Sequence, residues 1–168
     1  LAYRTLGKTG LKVTSLSFGC MTTSDASVIE RAADTGIIHF DTARSYQNGN
    51  NERMVGAALK GKRDKVFLIS KVETNAKGDA LYQVHDSLRK LQTDRLDCVH
   101  IHNLSRHDRY PRLEQALAMD GTLGALLEAK KQGLIRHIGC TSHQRPARVL
   151  PAFETGEFEL FMCTINFV

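Results

Sequence analysis

Three apolar segments of the sequence each end in an ionisable residue, and these residues are Asp41, Lys71 and His102. Side chains alternate between the two faces of a strand, so the last residue of each segment points in a defined direction. If the three strands are parallel, their charged groups meet at one rim of the sheet. Tyr46 follows Asp41 closely in the sequence and reaches the same rim from a loop. This convergence indicates a site for chemistry rather than a core.

The four side chains are suited to protonating a carbonyl group. An ammonium beside Tyr46 stabilises the phenolate that remains after the phenol has given its proton to a carbonyl oxygen. We expect Asp41 to hold Lys71 charged and in place, and His102 to orient or polarise the carbonyl as a hydrogen-bond donor. None of these groups supplies a hydride, so a reduction at this site requires a nicotinamide cofactor.

Strand patterns alternate with helical patterns along the chain. Six segments are predicted to be strands, at residues 16–20, 37–41, 66–71, 96–102, 135–140 and 160–165. Outward positions such as Phe40, Leu68 and Ile101 are apolar, as is required of a strand that lies beneath helices. Regular alternation of this kind predicts a parallel sheet with right-handed crossovers.

Apolar residues recur at helical spacing between the predicted strands. The clearest helical stripe lies in residues 81–91. Asp120 is predicted to cap a helix that ends before Gly133. Pro146 is predicted to begin a helix that ends at Gly156.

Two architectures are compatible with this alternation, an open doubly wound sheet and a closed (β/α)8 barrel. A doubly wound dinucleotide-binding domain carries G-x-G-x-x-G after its first strand, and residues 18–23 lack this motif. Polar residues at the carboxyl ends of several strands favour the barrel, whose active sites lie on that rim. Residues 3–14 are predicted to form a β-hairpin. We therefore predict an α/β fold, a (β/α)8 TIM-type barrel with an N-terminal β-hairpin and about six of the eight βα units present.

The composition excludes several classes of protein. With 42% hydrophobic and 24% charged residues the chain is typical of globular domains, and no segment approaches the ~20 apolar residues that span a membrane. The net charge of +5 is scattered rather than clustered, so we expect no nucleic acid partner. The four cysteines lie in or at the ends of apolar runs without C-x-x-C spacing. This pattern predicts buried reduced thiols and a reducing, cytoplasmic location.

At these residues the chain resembles the aldo-keto reductase family. The resemblance rests on motifs at residues 6–10 with 16–19, 36–46 with 51–52, 66–71, 96–102 and 133–142. The family's Asp–Tyr–Lys–His tetrad falls on Asp41, Tyr46, Lys71 and His102. The resemblance therefore implies NADPH-dependent reduction of an aldehyde or ketone, with hydride from the nicotinamide and a proton from Tyr46.

The resemblance also implies how the cofactor is held. The implied cofactor-binding residues are Cys20, Met21, Asp41, Thr141 and Ser142. Thr141 and Ser142 stand where the family usually has Ser-Asn, and Met162 stands where it usually has glutamine. NADPH is the expected cofactor, with NADH as the alternative, and the expected partner is a small carbonyl substrate. We expect no metal ion in the site.

Other interpretations of the same residues remain open. Lys71 can belong to a purely structural ion pair, and His39 and His100 are expected to be hydrogen-bonded core histidines one layer below the rim. His100 and His102 also resemble the metal-binding pair of a barrel hydrolase, although such hydrolases usually carry the pair on the first strand. A third alternative is a catalytically weak or regulatory binding protein that keeps the tetrad. The basic residues of segment 106–112 are expected to form a solvated loop.

The length of the chain is short for the predicted fold. A barrel of this type has ~250 residues, so residues 1–168 are expected to form a single domain that is C-terminally incomplete. Phosphate-binding loops of such barrels frequently follow strands seven and eight. We therefore expect a chain of this length to bind NADPH weakly and to turn over slowly. Uncovered strand edges favour self-association.

Overall fold

The computed structural model describes residues 1–165 of the chain. The fold begins with the predicted hairpin, in which β1 (Tyr3–Thr5) pairs antiparallel with β2 (Lys12–Thr14). The hydroxyl oxygen of Thr14 accepts a hydrogen bond of 3.3 Å from the backbone N–H of Ile38. This bond ties the hairpin to the main sheet.

Six parallel strands form the main sheet, and their spatial order is their order in the chain. They are β3 (Phe18–Gly19), β4 (His39–Asp41), β5 (Phe67–Val72), β6 (Leu96–Ile101), β7 (Ile135–Ser142) and β8 (Leu160–Cys163). In this register Asp41 lies opposite Ile69, and Lys71 lies opposite His100. The carboxyl ends of neighbouring strands are therefore side by side at one edge, as the sequence predicts.

Helical segments connect each strand of this sheet to the next. The α-helices are α1 (Ala26–Asp34), α2 (Asn50–Ala58), α3 (Lys77–Leu91), α4 (Leu113–Ala116), α5 (Thr122–Lys131) and α6 (Leu150–Glu154). Single 3-10 turns occur at Gly7–Thr9, Tyr46–Gly49, Arg63–Lys65 and Pro146–Arg148. Within residues 1–165, no helix combines the length and the apolar character that crossing a membrane requires.

Apolar side chains pack on both faces of the sheet. On the outer face, strand residues such as Phe40, Leu68 and Ile101 pack with helix residues such as Val84 and Leu126. A second, smaller cluster lies on the inner face and consists of Val13, Phe67, Ile69, Cys98 and Leu160. Each fully buried side chain of this size contributes about 1.5–3 kcal/mol to stability. Burial of these two clusters determines which face of a strand points inward, and hence where the side chains at the strand ends point.

Two strands of the sheet have boundaries that differ clearly from the sequence-based prediction. The first strand is restricted to residues 18–19, where it pairs with β4. The fifth strand is longer than predicted, because Thr141 and Ser142 pair with Met162 and Cys163 of β8. Thr141 and Ser142 are therefore held by the sheet itself rather than by a following loop.

Two helix starts also differ from the prediction. Asp120 does not cap α5, since Gly121 occupies the N-cap position and no side-chain capping hydrogen bond is found there within residues 1–165. Pro146 begins only a 3-10 turn, and the α-helix proper starts at Leu150. The short helix α4 was not predicted, because four residues are too few to show a helical period.

Candidate active site

Lys71 lies near the end of β5 with its ammonium group buried among oxygen atoms. The residue is 2% exposed. Its Nζ donates to Oδ1 of Asp41 at 2.6 Å, contacts the second carboxylate oxygen as well, and donates to the carbonyl oxygen of Thr42 at 2.7 Å. Buried charges are costly unless they are paired and fully hydrogen-bonded. Asp41 therefore pairs with the ammonium group of Lys71 and fixes the position of its nitrogen.

The hydroxyl group of Tyr46 lies within reach of this ammonium. The Nζ of Lys71 donates a hydrogen bond of 3.2 Å to the tyrosine oxygen, and the same nitrogen lies 4.8 Å from the centre of the ring. Since the phenol oxygen accepts from Lys71, its own proton is available for another acceptor. A purely structural ion pair does not require this third partner. The arrangement is suited to a phenol that gives up its proton and is left as a phenolate beside a positive charge.

The loop that carries Tyr46 has an unusual backbone conformation. Gln47, Asn48 and Gly49 have φ angles of 50°, 54° and 84°. Residues other than glycine seldom adopt positive φ, so contacts with the surroundings must maintain it. The side-chain amide of Gln47 donates to the carbonyl oxygen of Thr23 at 2.6 Å, which links this loop to the loop after β3. The linkage holds the two loops together at the rim.

A buried amide ties the ends of the first two sheet strands together. The amide oxygen of Asn51 accepts from the hydroxyl of Thr42 at 2.6 Å, and its NH₂ donates to the carbonyl oxygen of Cys20 at 2.9 Å. All three residues are fully buried. The neighbouring Glu52 accepts from Ser70 at 2.6 Å. These bonds fix the backbone on either side of Asp41 and Lys71.

His102 approaches the tyrosine from the strand on the other side of β5. Its backbone N–H donates to the carbonyl oxygen of Val72 at 2.9 Å, directly after β6. Its ring meets the Tyr46 ring edge to face, with centroids 5.9 Å apart and an angle of 80°. The structure thus brings together all four residues that the sequence analysis selected.

Behind His102 stands a carboxylate that the sequence analysis did not select. Glu73 bonds Nδ1 of His102 through Oε1, which also accepts from the hydroxyl of Ser45 at 2.6 Å. Its other oxygen lies 3.1 Å from the guanidinium of Arg109. Burial by itself would raise the pKa of Glu73, but the hydrogen bonds from His102 and Ser45 and the charges of His102 and Arg109 lower it to about 2.

Different signals were available for these two missed residues. Glu73 stands two positions after Lys71, so the period of two along a strand places both on the same face. That spacing could have identified Glu73. Arg109 belongs to the basic segment that was expected to be solvated, and instead it pairs with Glu73 beside the candidate site. The course of a long loop is not encoded in any period of the sequence, so this contact could not be predicted.

A cavity of about 240 Å³ opens beside the tetrad at the ends of the strands. It is lined by Tyr46, Lys71, His102, Thr141, Ser142, His143, Met162, Cys163 and Thr164. The cavity therefore connects the proton-transfer residues with Thr141 and Ser142, two of the residues selected for cofactor binding. Met162, on β8, faces the same space.

Of the other three selected cofactor residues, Asp41 is hydrogen-bonded to Lys71, whereas Cys20 and Met21 lie outside the cavity lining. The Cys20 thiol lies in the outer core, and burial is the main cause that raises its pKa to about 12. The backbone N–H of Cys20 donates to the carbonyl oxygen of Asp41, and its own carbonyl oxygen accepts from Asn51 and from the backbone N–H of Thr23, so both backbone groups are already hydrogen-bonded within the chain. Met21 is 55% exposed and lies on the rim, where its carbonyl oxygen accepts from Gln47 at 3.3 Å.

The prediction of hydrogen-bonded core histidines is wrong for His100. This residue is 1% exposed, and neither ring nitrogen has a hydrogen-bond partner among residues 1–165. Nε2 of His39 is likewise buried without a partner in this part of the chain. Burial and then the charge of Lys71 lower the pKa of His100 well below its usual value, so this imidazole is neutral. It packs against Gly139, where a Cβ would lie 2.6 Å from Nε2.

Three of the four cysteine thiols are buried. Cys20, Cys98 and Cys140 are buried and free, whereas Cys163 is exposed, against the expectation that all four are buried.

The described residues contain no cluster of metal ligands. Among residues 1–165, no three or more His, Cys, Asp or Glu side chains are grouped so as to hold a metal ion. The hydrolase interpretation therefore gains no support from His100 and His102.

Residues 16–167 match the Aldo/keto reductase family. The chain belongs to this family. One relative in the family is methylglyoxal reductase YeaE of Escherichia coli (strain K12), which is 34% identical over 121 residues. That match covers 71% of this chain and 39% of the relative.

Solved structures of aldo-keto reductases share the fold. Aldo-keto reductase AKR11C1 from Bacillus halodurans, in its holo form, superposes with a TM-score of 0.80 at 29% identity, covering 98% of this chain and 58% of that one. An aldo/keto reductase from Klebsiella pneumoniae, in complex with NADP and acetate, gives a TM-score of 0.67 at 26% identity, covering 84% of this chain and 50% of that one.

These similarities confirm the predicted fold class. The six parallel strands and their helices correspond to part of the (β/α)8 barrel of the family. The chain spans about half the length of the relatives it matches.

Proposed function

We propose that this aldo-keto reductase family member reduces an aldehyde or ketone to an alcohol with hydride from NADPH. The observation that carries the proposal is the convergence of Tyr46, Lys71 and His102 on one cavity, with Asp41 bound to Lys71 behind it. Membership of the family supports the same chemistry. NADH is the alternative hydride source, and a reducing, cytoplasmic location remains our prediction.

The residues at the far side of the cavity fit the amide group of a nicotinamide. The hydroxyl oxygen of Thr141 accepts from the backbone N–H of Asn103 at 2.8 Å, and its own proton has no acceptor among the described residues. The hydroxyl of Ser142 donates to the carbonyl oxygen of Gln144 at 2.6 Å, so its lone pairs can still accept. Thr141 can therefore donate to an amide oxygen and Ser142 can accept from an amide NH₂. When bound, the nicotinamide supplies the hydride.

Tyr46 acts as the general acid. As negative charge develops on the substrate oxygen, the phenol transfers its proton to that oxygen. Lys71 stabilises the resulting phenolate through the 3.2 Å hydrogen bond, and Asp41 keeps Lys71 charged. A positioned general acid contributes ~10²–10⁴-fold to the rate.

The names of the relatives indicate a first class of substrate to test. The side chains around the cavity include the thioether of Met162 and the imidazole of His143. Some relatives are named methylglyoxal reductases. Small aldehydes, with methylglyoxal among them, are therefore the first substrates to test.

The test is turnover by the purified protein. Wild-type protein is incubated with a panel of small aldehydes and ketones, and NADPH is supplied at high concentration because weak binding is expected. We expect NADPH to be consumed in equal amount to the alcohol formed. No alcohol from any member of the panel at high NADPH concentration would contradict the proposal. The regulatory alternative predicts cofactor binding without consumption, so NADPH binding to the same protein is also titrated by fluorescence.

A further inference from the structure

The Glu73 carboxylate is placed to control the protonation of His102. The side chains of the two residues are 12% and 11% exposed, so their contact is largely shielded from solvent. Ser45 and Arg109 hold the two oxygens of Glu73 from opposite sides. The carboxylate is thus fixed by three partners, of which His102 is the one that reaches the cavity.

The direction of the hydrogen bond between Glu73 and His102 follows from the charge state of Glu73. A carboxylate that accepts from a hydroxyl and pairs with a guanidinium is ionised, and an ionised carboxylate has no proton to donate. The proton in this bond must therefore be on Nδ1 of His102. Nε2 is then the nitrogen that remains for the cavity, and no described residue forms a hydrogen bond with it.

This assignment limits what His102 can do. A neutral imidazole protonated on Nδ1 has a bare Nε2, which can only accept a hydrogen bond. To donate to a carbonyl oxygen, the ring must carry both protons and a positive charge. Glu73 supplies the counter-charge for that imidazolium, as Asp41 does for Lys71.

We propose that Glu73 is a positioning residue with two effects. First, it keeps a proton of His102 on Nδ1; second, it supplies the counter-charge with which His102 polarises the substrate carbonyl as an imidazolium. The second half of this statement rests on the proposed reductase function. The first half concerns the resting protein alone. The two halves are therefore tested by separate measurements.

The substitution Glu73→Gln tests the first half, because glutamine replaces two acceptor oxygens with one oxygen and one NH₂ group. The guanidinium of Arg109 can only donate, so the amide oxygen is expected to face Arg109. The amide NH₂ then faces Nδ1 of His102, which must accept. We expect the neutral ring to carry its proton on Nδ1 in the wild type and on Nε2 in Glu73→Gln.

Nitrogen-15 NMR of the imidazole rings at alkaline pH distinguishes the two tautomers. The His102→Asn variant identifies the His102 signals by their loss. The control is Glu157→Gln, which removes an exposed carboxylate elsewhere, and it should leave the wild-type tautomer in place. Wild-type His102 protonated on Nε2, or the same tautomer in Glu73→Gln as in the wild type, would overturn the proposal.

Kinetics test the second half. Glu73→Gln leaves a neutral donor at Nε2 in place of a charged one, and charge-assisted hydrogen bonds are roughly twice as strong. We expect kcat to fall on the order of 10-fold with little change in KM, and Glu73→Asp to recover part of the loss. An unchanged kcat in Glu73→Gln would overturn the imidazolium role. A shifted tautomer in a protein without reductase activity would uphold the positioning role and count against the proposed function alone.

Discussion

The ammonium nitrogen of Lys71 donates a 3.2 Å hydrogen bond to the hydroxyl oxygen of Tyr46. The same nitrogen bonds Asp41 and the carbonyl oxygen of Thr42, so its position does not depend on the tyrosine. The phenol therefore meets a positive charge that the protein has already fixed and desolvated. Preorganised charge of this kind stabilises an ion without any further rearrangement.

Removing the ammonium should affect stability and activity in different ways. In Lys71→Met, Asp41 remains buried without its partner, and we expect the free energy of unfolding to fall by about 3–5 kcal/mol. Adding Asp41→Asn to this variant removes the isolated charge and should restore part of the stability. Urea denaturation measures both effects.

Turnover of the same pair of variants should not follow their stability. Neither Lys71→Met nor the double variant has an ammonium to stabilise the phenolate, so both should lose activity by ~10²-fold or more. A double variant that regains turnover together with stability would show that Lys71 serves only the fold.

Asp86 is predicted to control the acid stability of the region around α3. Burial by itself would raise the pKa of Asp86, but Lys90 and Arg89 lower it to about 2. A carboxylate with a lowered pKa contributes to the free energy of unfolding. This contribution is fully present at pH values above the ordinary pKa near 3.8 and is lost as the pH falls towards 2. We expect Asp86→Asn to lower the free energy of unfolding by about 1–2 kcal/mol at neutral pH and less at acid pH.

The control for Asp86 is Asp94→Asn, since the Asp94 side chain is 83% exposed. It should change the free energy of unfolding by less than about 0.5 kcal/mol at any pH. The measurement is urea denaturation of the three proteins between pH 2 and pH 7, a range that follows from the lowered pKa of Asp86. An Asp86→Asn effect that is the same at both ends of this range would contradict the assignment.

Gly56 is predicted to be required for the packing of α2 against α3. A Cβ at this position would lie 2.4 Å from the carbonyl oxygen of Leu91, a backbone atom that cannot turn aside. Gly56→Ala should therefore destabilise the fold by about 1–3 kcal/mol.

The matched control for Gly56 is Gly78→Ala in α3, where a Cβ meets no atom within 4 Å. That substitution should stabilise the protein by up to about 1 kcal/mol, because alanine is the better helix former. Thermal unfolding of both variants makes the comparison. Equal effects of the two substitutions would show that the close approach at Gly56 does not matter.

The sequence was most informative where a physical period applies. Alternation along three strands predicted that Asp41, Lys71 and His102 meet at one edge, and the parallel register brings them together. The hairpin and the outer core follow from the same patterns. These features depend on the burial of apolar faces, which leaves a repeat in the sequence.

The features that the sequence did not predict depend on single contacts between distant segments. The positive φ angles of Gln47 and Asn48 are maintained by contacts of the loop, and Arg109 reaches Glu73 from a long connection. The resemblance implied that Cys20 is a cofactor residue, and the structure places its thiol in the outer core. No local sequence pattern predicts these features, because each depends on a contact with a segment that is distant in the sequence.

The role of Tyr46 as the proton donor is tested by the rate of NADPH-dependent aldehyde reduction in Tyr46→Phe, compared with Tyr82→Phe. Tyr82 is 66% exposed on α3, so it controls for the loss of a phenol as such. We expect kcat to fall ~10²–10⁴-fold in Tyr46→Phe, while Tyr82→Phe retains the wild-type rate. A Tyr46→Phe variant that reduces the same aldehyde at the wild-type rate would contradict the role of Tyr46 as proton donor.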